Sequence, residues 1–181
     1  MADPLTAELA YVEARATRAR AVGHALVVPL RLAGAADVGG AIAVLLIGRD
    51  HLLSYFGPAY LLVLVLGAAW YRHYARRHGV WLPVRPWVVI IVPTLAASAT
   101  LSRLGFVLDQ PLLQVVGPGL ANAVAVAVTG GWLRSARLVF TGLAMVIATG
   151  VAAALSTGDR AVSLELLAYG LLLWNASRGS R

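Results

Sequence analysis

The sequence predicts an all-α integral membrane protein: a bundle of six transmembrane helices, both termini cytoplasmic, preceded by an N-terminal amphipathic helix. Three observations carry this reading. Hydrophobic residues make up 60% of the 181 positions and charged residues only 13%, against about 45–50% and about 25% in soluble domains. Charged residues divide the chain into six long, continuous apolar stretches. The arginines concentrate on one alternate set of the segments between those stretches. The composition excludes a disordered chain, a nucleic-acid-binding domain and an ordinary soluble enzyme. The formal charge of +7 belongs to the connecting segments and is not a nucleic-acid footprint.

Residues 1–31 form the cytoplasmic N-terminal segment. They hold Asp3, Glu8 and Glu13 and no compact apolar core, so they do not read as a signal peptide. Leu5, Leu9, Val12, Ala16 and Ala19 follow helical spacing, with acids early and arginines late, as the helix dipole favours. Residues 4–25 are therefore expected to form an amphipathic helix on the membrane surface, with Pro29 marking a bend before the first span. The alternative is an inward extension of that span.

The membrane domain covers residues 32–177. Its spans are expected at about 32–48, 52–71, 86–102, 110–133, 138–158 and 161–177, each 17 to 24 residues long. A helix rising 1.5 Å per residue needs about 20 residues to cross hydrocarbon, with a range of about 17–25. The runs are continuous and not alternating, which favours helices over a barrel. Residues 178–181 form a cytoplasmic tail. Twelve arginines fall on the N-terminal, third, fifth and C-terminal segments. Arg49, Arg103 and Arg160 fall singly on the other three. The positive-inside rule then places both termini in the cytoplasm.

Trp70-Tyr71-Arg72, Trp132-Leu133-Arg134 and Trp174 to Arg178 end the three inward-running helices alike, and Gly57-Pro58 and Gly117-Pro118 recur upstream. Three related hairpins would give this pattern. So would the aromatic belt alone, with tryptophan at headgroup level and arginine beyond it.

Acids inside a membrane are costly and mark candidate functional positions. Asp37 lies in the small-residue run Gly34-Ala35-Ala36-Asp37-Val38-Gly39-Gly40 of the first span, and Glu165 lies in the sixth. Polar stripes at helical spacing accompany them: Thr94 and Ser98; Gln114, Pro118, Asn122 and Thr129; Thr141, Thr149 and Ser156; Glu165 and Tyr169. The candidate ligand-binding set is Asp37, Thr94, Ser98, Gln114, Asn122, Thr149, Glu165 and Tyr169. Thr94, Asn122, Thr149 and Tyr169 are expected at similar depth. Two readings stand: a polar cavity, or interhelical hydrogen bonds. Arg72, Arg76 and Arg77, among Tyr71, His73, Tyr74 and His78, form the densest polar segment. It reads as a topology anchor or as a docking surface for anionic headgroups or a cytosolic partner.

Much chemistry is excluded. The fifteen basic residues are all arginine, so no lysine can form a Schiff base, and there is no cysteine for disulfides, thiolate chemistry or iron–sulfur ligation. His24, His51, His73 and His78 lie outside the hydrophobic centres, so paired haem ligands are not expected, and no zinc spacing, P-loop or Gly-x-Ser-x-Gly elbow is present. No catalytic residue, metal or cofactor is assigned. The aspartate cluster of CDP-alcohol phosphotransferases is missing, since Val-Gly-Gly follows Asp37. In size, helix number and orientation the chain resembles the binding subunits of energy-coupling-factor vitamin importers, a likeness of architecture with no motif behind it.

The expected function is that of a polytopic plasma-membrane protein, leaning non-enzymatic, that handles a small or hydrophobic solute as a carrier, channel or membrane-embedded binding subunit. The alternative is a sensory or accessory subunit that docks a partner through its arginine-rich face. A lipid-modifying enzyme is a third, weaker reading. Expected partners are the bilayer, anionic headgroups, a protein partner or a second copy, and no nucleic acid. The abundance of Ala, Val and Arg without lysine points to a GC-rich bacterial genome, hence a bacterial inner membrane.

Overall fold

The computed structural model describes residues 4–48, 52–78, 85–155 and 158–178. All their regular structure is helical: α1 (Pro4–Ile47), α2 (Leu52–His78), α3 (Arg85–Val107), α4 (Pro111–Trp132), α5 (Ala136–Leu155) and α6 (Asp159–Arg178). Three stretches are long and apolar enough to cross a membrane: His24–Ile47, Val89–Val107 and Ala136–Leu155.

Short turns make α3 and α4, and α4 and α5, antiparallel neighbours. Between α3 and α4 the chain reverses at Asp109 with a φ of 50°, and the Gln110 N–H donates to the Gly105 carbonyl. Pro111 then opens α4, where a missing N–H costs nothing. Between α4 and α5 the reversal falls at Arg134 with a φ of 53°, and the Ser135 hydroxyl accepts from the Leu138 N–H to cap α5.

Helix α1 corrects two expectations. It does not end near Pro29 but runs unbroken for 44 residues, so the N-terminal segment continues the same helix that crosses the apolar region. Helix α6 explains why. Leu26 before the proline, and Leu30, Ala33 and Gly34 after it, pack against Leu173 and Ala176 of α6 and Leu138 of α5, so packing holds both sides of the weakened turn together. The apolar stretch also begins at His24, two turns before residue 32. Arg31 is therefore no boundary. Its Nε donates to Ser177 Oγ at 3.2 Å, and its guanidinium lies 5.9 Å from the Trp174 ring centre, which keeps the charge paired with polar groups of α6.

The packing order is α2, α1, α6, α5, α4, α3. Neighbours within each hairpin pack together, as do α1 with α6 and α4 with α5. A threefold arrangement of hairpins also needs an α2–α3 interface, and the described residues form no packed one. Helices α2 and α3 are thus the flanks of an open row. The outward faces are apolar: Phe140, Leu143, Ile147 and Val151 on α5, and Leu164 and Leu171 on α6, are exposed. The inward faces are smaller and more polar, with Thr141, Gly142 and Thr149 on α5 and Ser163, Glu165 and Ser177 on α6. Such a distribution suits a surface solvated by lipid, where polar groups must find partners inside.

Helices α1 and α6 approach most closely at two glycines. A Cβ on Gly170 would stand 2.7 Å from the Gly34 carbonyl oxygen and 2.6 Å from Val38 Cγ2. Only side chains ending at Cα permit this crossing. About two turns along, Ser163 Oγ donates to the Ala41 carbonyl at 3.2 Å. The crossing sets the antiparallel register that puts Asp37 and Glu165 at one level.

Candidate functional site: a buried polar layer with two carboxyl groups

The α1–α6 pair carries both buried acids. Asp37 is 2% exposed and Glu165 is 4% exposed. They turn to opposite sides of the crossing. Asp37 accepts a 2.6 Å hydrogen bond from the Tyr60 hydroxyl of α2. One turn from Tyr60, the Tyr55 hydroxyl donates to the Ala36 carbonyl at 3.1 Å. These two bonds fix α2 against the small-residue segment of α1, and the residue before Asp37 is part of the clamp.

Glu165 turns toward α5. Its Oε1 accepts from Thr149 Oγ1 at 2.7 Å, and the same Thr149 oxygen lies 2.5 Å from the Tyr169 hydroxyl. Tyr169 stands one turn after Glu165, so one face of α6 presents both groups to Thr149. Thr149 also approaches the Met145 carbonyl of its own helix at 3.1 Å. A threonine is short enough to sit within the α5–α6 interface and still bridge two partners. The layer reaches α4 at Gly119, where a Cβ would overlap Glu165 Oε1 and stand 3.0 Å from the Tyr169 hydroxyl. The missing side chain makes the room in which the carboxyl group sits.

The layer is therefore Tyr60 and Asp37 on one side of the crossing, and Glu165, Thr149, Tyr169 and Gly119 on the other. Hydroxyl groups partner the two carboxyl groups, and among the described residues no arginine pairs with either one. A carboxyl group with hydroxyl partners and no fixed counter-charge can accept a hydrogen bond, hold a proton or meet a cationic or polar solute. Among the described residues, no three His, Asp or Glu side chains converge in a metal-binding group.

Of the eight residues singled out from sequence, four belong to this layer: Asp37, Thr149, Glu165 and Tyr169. The others do not join it. Thr94 donates to the Ile90 carbonyl of its own helix at 2.6 Å, so its hydroxyl is spent on α3. Ser98 Oγ is buried without a partner on the same flanking helix. Asn122 is half-buried on α4 and makes no side-chain hydrogen bond among the described residues. The side chain of Gln114, like Ser156, lies outside what the structure describes. Thr129 and Thr141 also bond back to carbonyls four residues earlier. Helical threonines commonly satisfy themselves this way, which is why equal depth did not make Thr94 part of the cluster.

Sequence reasoning missed Tyr60, Ser163 and Gly119. Tyr60 had a readable signal: a tyrosine eight residues inside an apolar run is displaced from the interfacial belt and needs a partner for its hydroxyl. Gly119 had none.

At the end of the bundle where α2, α4 and α6 finish, Arg137 donates to the carbonyl and side chain of Asn175. Arg72, Arg76 and Arg77 are exposed on α2, which continues past Tyr71 to His78. They stand apart from the buried layer.

This is an all-helical bundle with three helices able to span a membrane and a polar layer inside it. No protein family, curated protein or solved structure matches the chain.

Proposed function

We propose that the protein is a six-span, multi-pass protein of a bacterial inner membrane, with both termini cytoplasmic, that handles a small polar or cationic solute at the layer formed by Asp37, Tyr60, Thr149, Glu165 and Tyr169. It acts as a carrier, channel or membrane-embedded binding subunit. The observation that carries this reading is the pair of buried carboxyl groups with hydroxyl partners and no cation. Removing such a group from water is expensive, and within a membrane its usual justification is an ion or substrate path. Structural hydrogen bonds alone are obtained more cheaply from the serines and threonines that this chain has in plenty. The six-span topology is supported by the arginine distribution and by Trp70, Trp132 and Trp174 near the ends of α2, α4 and α6.

The test is native mass spectrometry of the full chain released from native-lipid nanodiscs. A bound small molecule, lost in Asp37→Asn and Glu165→Gln but kept in Arg77→Gln, is the expected result. The reading fails if the wild-type chain carries nothing beyond lipid, or if the two acid variants retain the same adduct. One observation favours a second reading, an accessory subunit: the exposed arginines on the end of α2. That reading requires a co-purifying protein that is lost when residues 1–25 are removed.

A further inference from the structure

A groove lies outside the polar layer. Helices α1 and α2 touch where Gly67 meets the Pro29 ring, whose carbons stand 3.7 Å from a Cβ placed on Gly67. Beyond that contact the helices part. They leave an open groove of about 610 Å³ lined by His24, Val27 and Val28 of α1 and Trp70, Tyr74 and His78 of α2, within the ~300–1,000 Å³ range of small-molecule sites.

The groove has a polarity gradient. Its deep end is Val27, Val28 and the Trp70 ring. Its mouth is His24 and His78. The His78 ring stacks on Tyr74 with ring centres 4.0 Å apart, and its Nδ1 lies 3.0 Å from the Tyr74 carbonyl oxygen, which holds the rim in place. The Trp70 indole N–H is shut into the wall without a hydrogen-bond partner among the described residues.

Helical register decides which arginine serves the mouth. Trp70, Tyr74 and His78 share one face of α2 at steps of four. At about 100° per residue, Arg77 flanks that face, while Arg72 and Arg76 lie on the far side. No acidic residue occurs between Asp50 and Asp109, so this end of α2 is uniformly basic.

We propose that the α1–α2 groove binds an anionic phospholipid. An acyl chain lies along Val27, Val28 and Trp70, and the phosphate meets His24 and Arg77 at the mouth. The apolar-to-basic gradient matches an amphiphile standing at the membrane surface. A soluble anion has no use for the valine floor.

The delipidated full-length chain is titrated with phosphatidylglycerol, phosphatidylcholine or inorganic phosphate and read by native mass spectrometry. Phosphatidylglycerol is expected to be retained at least fivefold better than phosphatidylcholine. Arg77→Gln, an exposed change that does not threaten folding, removes that preference, whereas Arg72→Gln with Arg76→Gln keeps most of it. Val28→Trp fills the floor and lowers retention of both lipids, and Val27→Phe does the same if Val28→Trp fails to fold. The proposal is overturned if Arg77→Gln and the Arg72/Arg76 pair act alike, which would mean diffuse attraction. It is also overturned if filling the floor has no effect, or if inorganic phosphate displaces the lipid.

Discussion

Replacing Gly170 with alanine adds one methyl group at the α1–α6 crossing, and the structure gives its cost. The new Cβ would lie 2.7 Å from the Gly34 carbonyl oxygen and 2.6 Å from Val38 Cγ2, where ordinary contact begins near 3.4 Å. The helices must separate by about 0.7 Å, because the obstacle includes backbone and cannot rotate away. Overpacking of this kind costs about 1–3 kcal/mol, and a backbone obstacle places it in the upper half of that range. For a chain of this size each kcal/mol moves the melting temperature by about 2–4 °C, so Gly170→Ala should melt roughly 4–12 °C lower. Gly150→Ala is the matched control. It is the same chemical change in a helix of the same bundle, but nothing lies within 4 Å of its Cβ. Relief of the glycine penalty, about 0.8–1 kcal/mol, should leave that variant equal to or more stable than wild type. Thermal unfolding in detergent, followed by tryptophan emission, reads both. If Gly170→Ala melts with the wild type, α1 and α6 do not cross at these glycines, and the shared level of Asp37 and Glu165 loses its basis.

Thr149→Val keeps shape and deletes the hydroxyl that serves Glu165 and Tyr169. With Thr149 only 1% exposed, water cannot substitute, so a loss of about 1–3 kcal/mol is expected. Thr149→Ser should recover most of it in the same melting assay. Tyr60→Phe leaves Asp37 without its hydroxyl donor and should cost about 1 kcal/mol. Combined with Asp37→Ala, which removes the acceptor altogether, the two effects should be non-additive, because both break one bond. Gly119→Ala pushes the Glu165 carboxyl group out of its place against α4. It should lower both thermal stability and any small-molecule adduct seen by native mass spectrometry, whereas Gly131→Ala, with open space around it, should change neither.

The helices and the acids were legible because charge is costly in an apolar run. Arginines bracket the stretches, and the two carboxyl groups stand out against aliphatic neighbours. Glu165, Tyr169 and Thr149 followed from helical spacing. The limits of α1 were not legible. Proline and Arg31 are local signals, and the covering of both by α6 is a long-range fact that no periodicity encodes. The same holds for the Gly34–Gly170 crossing. Small residues recur throughout this chain, and which of them meet is decided by the pairing of α1 with α6 and not by their own sequence. Tyr60 was hidden by its class, since aromatic residues count as apolar in a hydropathy reading. Asn122 was grouped with the cluster because depth was readable and direction was not. Helix α4 meets Glu165 at Gly119, and Asn122 makes no side-chain hydrogen bond among the described residues.

Whether the buried carboxyl groups serve function or only architecture can be tested without knowing the solute, by the melting temperature of the Asp37→Asn, Glu165→Gln double variant. The amides keep an acceptor for Tyr60 and Thr149 and remove the penalty of enclosing acids, an effective several kcal/mol per ion. Groups kept for function at the expense of stability should show it on removal: the double variant is expected to melt at or above the wild-type temperature. A fall of about 5 °C or more would show that the acids hold the bundle together, and would contradict a solute-handling layer.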